Sequence, residues 1–252
     1  MVGFKFCDRH CGEFWIHMRS KSRPLLPERR RRQLEIPQLH GRYDFGGSTY
    51  DMRVITLECF VYASDIPAFR SRLRDIAEWL SQKGPLVFDD EPDKTYDARI
   101  FSSVPVEQMM SAGIFTLVFD CQPFANGQER ILSFTASSSP AALAISNRGT
   151  QESPCVITLT NAGGGNIEGV SLAAGRSAGG LDEFQYTKTL AAGSTLEIDT
   201  ERYMVRLNDS LITAGYSGEF FRVLPGASVI RYSDTGSARQ ISLSVKWTEL
   251  YL

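Results

Sequence analysis

The sequence predicts a mainly β protein: an α+β first half with one main helix, then an all-β second half of sandwich type. Three observations carry this. Residues 54–61 alternate strictly, with Ile55, Leu57, Cys59 and Val61 on one face and Val54, Thr56, Glu58 and Phe60 on the other, which is the period of a strand. Helical spacing is convincing once, over 65–83. Beyond residue 135 only short apolar alternations occur, separated by glycine, asparagine or proline turns.

The elements follow in order. Residues 1–18 read as short strands around a turn at 8–12. Residues 20–38 carry three prolines and the run Arg29, Arg30, Arg31, Arg32, the texture of an exposed arm. His40 to Gly47 is a glycine-rich turn leading into the 54–61 strand. Ser64 and Asp65 offer cap oxygens and Pro67 suits a first helical turn. Phe69, Leu73, Ile76, Ala77 and Leu80 form the apolar stripe, and Lys83-Gly84-Pro85 is expected to end the helix through a left-handed glycine cap. Buried stripe residues stabilise by roughly 1.5–3 kcal/mol each, so Leu73→Asp is expected to unfold the protein. Residues 86–88 read as a strand, 89–94 as a polar turn and 96–101 as the returning strand, followed by strands at 104–109 and 113–121. Pro123 and Asn126-Gly127 suggest a break, dividing the chain into domains 1–128 and 129–252. In the second, strands are expected at 156–160, 189–199, 203–207, 219–224, 229–231 and 241–247, with glycine loops at 163–165 and 179–180.

Composition excludes several functions. The 252 residues carry 27 basic and 29 acidic side chains, a net charge of −2, so binding of nucleic acid or an anionic membrane by bulk charge is not expected. No apolar run approaches the roughly 18–20 residues that span a bilayer, and charges near the N-terminus argue against an export signal. Five scattered cysteines, Cys7, Cys11, Cys59, Cys121 and Cys155, read as reduced thiols of a protein made in a cytoplasm.

No catalytic, cofactor or metal site emerges. Cys7, His10, Cys11 and His17 are competent zinc ligands, but all four fall within eleven residues, unlike the paired spacing of structural zinc sites, and packed thiols are preferred. Asp89, Asp90, Glu91 and Asp93 lack the spacing of a calcium loop and read as a solvated turn. The three histidines lie in the first forty residues, no serine sits in a nucleophile elbow, Gly163-Gly164-Gly165 lacks the lysine of a phosphate loop, and Asp182-Glu183 is adjacency only. A non-enzyme is expected. The Arg29 to Arg32 run is read as an interface arm in preference to a phosphate contact.

The order of FKF…GEFWI, HGRYDFGGSTYDMRVITLECFVYA, a helix ending AEWLSQKGPLVFDDEPDKTYDARI, then LPGASVIRY and ISLSVKWTELYL, resembles the distal tail proteins of long-tailed siphophages and related prophages, often called Dit. The likeness spans the chain and is densest from Gly41 to Ile100. It implies a structural virion protein: a ring-forming first domain, six copies around a channel for DNA at the distal tail tip, and a projecting galectin-like second domain. Its implied partners are its own copies, the tail tube protein and the hub or tail-associated protein, with receptor-binding proteins or a host surface glycan further out. It implies a place in the virion after synthesis in the host cytoplasm, no membrane insertion, and no catalytic residue.

Assembly is therefore the expected mechanism. Residues 1–125 contain 17 basic and 17 acidic side chains, a balance suited to alternating charged contacts at subunit seams. The alternative is a glycan-binding accessory module, for which Tyr186, Tyr216 and Tyr232 are the stacking candidates, Trp247 being expected in the core.

Overall fold

A computed structural model describes residues 3–38, 40–46, 49–176, 181–236 and 239–252. Strands make up 56% and helix 8% of the chain, as the mainly β expectation requires. The chain divides into two compact units, residues 1–126 with Leu252, and residues 127–251.

In the first unit Arg53–Tyr62 is the central strand. Ile55, Leu57, Cys59 and Val61 are buried while Val54, Phe60 and Tyr62 are exposed, so the alternation in the sequence sets which face meets the core. Ala112–Cys121 pairs with it antiparallel along its length and Ile16–Ser22 pairs on its other side; Val106–Met109 continues beyond Ala112–Cys121. Lys83–Phe88, between Phe4–Phe6 and Glu91–Arg99, extends the sheet.

The helix is Ile66–Leu80. An Asp65 carboxylate oxygen accepts the Ala68 N–H at 2.8 Å, as the cap residues predict. Its buried side differs from the expected stripe: Phe69, Ile76 and Leu80 are buried with Trp79, whereas Leu73 is half-buried and Ala77 exposed. Phe14 stacks on Trp79 with ring centroids 4.3 Å apart, Phe4 lies at 5.9 Å, and the indole N–H donates to the Phe6 carbonyl at 2.8 Å. That aromatic group is assembled from segments more than sixty residues apart in sequence. Helical spacing cannot reveal it.

The helix also ends earlier than expected. Ser81 caps it in a right-handed conformation with its hydroxyl on the Glu78 carbonyl at 2.7 Å, and Lys83-Gly84-Pro85 opens the next strand instead of closing the helix. Gly84 is required by contact, since a Cβ there would lie 2.7 Å from Cys7 Sγ. The turn that follows is Asp89-Asp90 alone, with Pro92, Asp93 and Lys94 already in the Glu91–Arg99 strand.

Asn126-Gly127 is not a turn. Ala125–Ala136 runs through it as one strand, where a Cβ on Gly127 would fall 2.5 Å from the Tyr251 ring. The second unit is a β-sandwich. One sheet orders Ser210–Ile212, Met204–Leu207, Thr195–Asp199, Cys155–Asn161, Ile241–Tyr251 and Ala125–Ala136; the other orders Ala141–Asn147, Gly226–Ser233, Val170–Gly175, Leu181–Tyr186 and Tyr216–Gly218. Ile157, Leu196, Leu243 and Trp247 from the first share a core with Leu143, Leu172, Phe184 and Ile230 from the second. The expected strand at 219–224 is irregular, though Phe221 and Val223 are buried and Val223 bridges Ser153. The expected strand at 189–199 begins only at Thr195, and Leu190 instead bridges Ile167. Residues 163–165 lie in a loop. Gly179-Gly180 falls outside the described residues.

Candidate assembly interface

The arm is more ordered than its prolines suggest. Gln33–Leu34 pairs antiparallel with Tyr43–Asp44, and the ladder is continued by the Phe45 N–H on the Arg32 carbonyl, the Arg30 N–H on the Thr49 carbonyl and the Asp51 N–H on the Glu28 carbonyl. It is a two-stranded ribbon. Leu34, Ile36, Tyr43 and Phe45 stay exposed on it, Phe45 at 61%.

Arg53 holds the root of this ribbon. Only 3% exposed, it donates from Nε to the Pro123 carbonyl and from Nη1 to the Pro24 carbonyl, both at 3.1 Å, with its guanidinium 5.8 Å over the Tyr96 ring. Sequence inspection gives no hint of this role, because the acceptors are main-chain carbonyls of distant segments.

The four arginines of the arm separate into two kinds. Arg29 donates to the Tyr50 hydroxyl at 3.1 Å and Arg30 lies 3.5 Å from Asp51, so both tie the limbs together. All four are exposed, and the side chains of Arg31 and Arg32 have no partner among the described residues.

A second surface lies on the outer face of the Arg53–Tyr62 sheet. Phe60 stacks on Tyr62 at 6.0 Å, His17 on Tyr62 at 5.7 Å, and Trp15 meets the Tyr62 edge at 5.9 Å. Ile114 stands opposite Phe60, and Met109 is exposed at the end of the sheet. Exposed apolar groups grouped in this way mark interaction surfaces.

The other residues singled out in the sequence have structural work. His10 caps the short helix Cys11–Phe14, its Nδ1 accepting the Gly12 N–H at 3.0 Å, and its Nε2 lies 3.2 Å from Asp89. Cys11 is buried and accepts the Phe4 N–H at 3.5 Å, Cys7 packs against Gly84, and His17 is on the outer sheet face. These four do not converge, and no group of metal-competent side chains occurs among the described residues. All five cysteines are free thiols, and burial pushes Cys59, Cys121 and Cys155 up to about 12.

The acidic turn is an ion-pair cluster. Lys21 pairs with Asp90, holding its carboxyl below the usual range, Arg23 with Glu91 at 2.5 Å and Lys94 with Asp93 at 2.5 Å. Asp182 and Glu183 are consecutive on Leu181–Tyr186 and so face opposite ways. Of the three stacking candidates, Tyr186 and Tyr232 are strand residues 1% exposed in the sandwich core, and Tyr216 is half-buried against Phe184 and Phe220. Trp247 is in the core as expected. No helix among the described residues is long and apolar enough to cross a membrane.

Residues 11–121 match the family model of the phage tail protein RIFT-related domain. The whole fold is similar to the crystal structure of Dit (gp 19.1) from phage SPP1, described as a paradigm of hub adsorption apparatus in phages infecting Gram-positive hosts. The TM-score is 0.78 at 12% identity, covering 100% of both chains. A more distant likeness, with a TM-score of 0.43 at 7% identity over 98% of each chain, is to the phage p2 baseplate in its activated conformation with Sr. No curated protein sequence matches the chain. Residues 11–121, which hold the central sheet and the helix, thus match the phage tail protein RIFT-related domain, and the chain as a whole is folded like a distal tail protein.

Proposed function

We propose that six copies close into a ring at the distal end of the tail, joining the tail tube to the hub or tail-associated protein and leaving a channel through which DNA passes. The ribbon carries this reading. An isolated two-stranded ribbon is marginal in water, and this one exposes four large apolar side chains and two arginines that have no partner among the described residues. It is built to meet a neighbour. Closed rings need one patch to meet a different patch of the next copy, and the charge balance of residues 1–125 suits such seams.

In this reading residues 1–128 form the ring and residues 129–252 project as a galectin-like domain toward receptor-binding proteins or the host surface. The protein is made in the host cytoplasm, in keeping with its free thiols, and ends in the virion. Changing Arg29, Arg30, Arg31 and Arg32 together to Ser is expected to abolish six-fold rings in negative-stain electron microscopy and reduce the light-scattering mass to that of one chain. Rings that form as in the wild type would remove the arm from the assembly. A wild-type protein that never leaves the single-chain mass would refute self-assembly.

A further inference from the structure

We propose that the ribbon of one copy docks on the outer face of the Arg53–Tyr62 sheet of a second copy, with Arg32 directed to Glu58 and Glu107. This rests on the ring reading and names the counterpart that the arm requires.

Register defines both surfaces. Leu34 is opposite Tyr43, and the Phe45 N–H bonds the Arg32 carbonyl, so Arg32, Leu34, Tyr43 and Phe45 share one face of the ribbon. That face is apolar with one cation, and the cation has no partner among the described residues. On the sheet, Glu107, Ile114, Phe60 and His17 form one row across four strands, and Glu58 lies in the next row between Thr116 and Ser20. This face carries the apolar Ile114, Phe60 and Tyr62, the polar His17, Thr116 and Ser20, and two anions, with Arg72 over Trp15 at its edge. Glu58 accepts a hydrogen bond from the Ser20 hydroxyl at 2.9 Å but has no ion pair, and the Glu107 side chain has no partner among the described residues.

The two surfaces therefore complement each other in both apolar character and sign of charge. Within one chain both remain exposed, so neither occupies the other. A second copy satisfies both at once, because each copy then offers its ribbon to one neighbour and its sheet face to the other, the heterologous arrangement that closes a ring. Opposite charges at the seam select the partner and its register more than they add affinity. The tail tube protein is the competing occupant of the ribbon.

The test uses three forms of the full-length chain: wild type, Arg32→Glu, and Glu58→Arg with Glu107→Arg. Melting temperatures establish that all are folded, and sedimentation velocity reads the mass. We expect each variant alone to lose the assembled species and an equimolar mixture of the two variants to recover it, since the reversed ribbon then meets the reversed face. A milder pair, Glu58→Gln with Glu107→Gln, guards against misfolding and is expected to lower the assembled fraction at least several-fold. A face variant that assembles like the wild type overturns the proposal. If the Arg29 to Arg32 Ser variant still breaks the ring in that case, the arm keeps its role in assembly and docks on another part of the neighbouring copy. A mixture that stays at single-chain mass, or a wild type that does so at every soluble concentration, also overturns it.

Discussion

Trp79 does the most within the first unit. It is 1% exposed, stacked on Phe14 and hydrogen-bonded to the Phe6 carbonyl, so its loss leaves a cavity and an unpaired buried acceptor together. Trp79→Ala is expected to cost about 3–5 kcal/mol in urea unfolding. In the second unit the corresponding polar feature is Glu249, 3% exposed, which accepts from Arg130 Nε and the Tyr251 hydroxyl, each at 3.0 Å. Burial by itself would raise this carboxyl, but the hydrogen bonds from Arg130 and Tyr251 and the Arg130 charge together hold it below its usual range. A lowered folded-state pKa means that the stabilisation is complete above the unfolded value of about 4.3 and fades as pH falls through the lower folded value. Arg130→Met is therefore expected to cost roughly 2–3 kcal/mol at pH 7, and the gap from wild type should narrow on acidification below pH 4. A gap independent of pH would show that Arg130 acts through packing alone.

At the scale of elements, the helix shows how far spacing can be read. Its existence, its Asp65 cap and three of its four buried residues are legible in the pattern of residues 65–80. Leu73 is not core. It lines a groove of about 330 Å³ beside Val104, Val106 and Phe115, open to solvent. Leu73→Asp is thus expected to stay soluble and folded with a lowered melting temperature, whereas the loss at Trp79 is the larger of the two; aggregation of the Leu73 variant on expression would put Leu73 back in the core. Three of the strands missed in the second unit, Ala141–Asn147, Val170–Gly175 and Leu181–Tyr186, are rich in alanine, serine and acidic residues, whose strand preference is weak. Their sheet partners hold them. Gly218 shows the same dependence: its φ is +95° and a Cβ would lie 2.1 Å from the Glu183 carbonyl, a need that arises only once Tyr216–Gly218 pairs with Leu181–Tyr186.

At the scale of the molecule, each unit has its own interior. The apolar cluster of the sandwich draws every member from residues 136–247. A fragment of residues 127–252 is expected to fold by itself, with a single urea transition followed by the fluorescence of Trp247, its sole tryptophan. A fragment that shows no cooperative transition would make the second unit dependent on the first. The ribbon and the outer sheet face leave large apolar side chains exposed within the chain, and the proposed contact between copies would bury them.

The sequence alone determined the mainly β class, the single helix, the strand at 54–61 with its buried face, the reduced thiols and the resemblance to distal tail proteins. Each rests on periodicity, local capping or residue order, which neighbours along the chain define. Only the tertiary structure decided that Trp79 belongs to the core, that Asn126-Gly127 continues a strand, that Arg53 anchors the arm, and that Tyr186 and Tyr232 are buried. It also decided that Arg29 and Arg30 are engaged while Arg31 and Arg32 have no partner among the described residues. The reason is common to all of these. Each depends on which remote backbone or ring comes within a few ångströms, and that distance is a property of sheet register and packing and not of any local pattern.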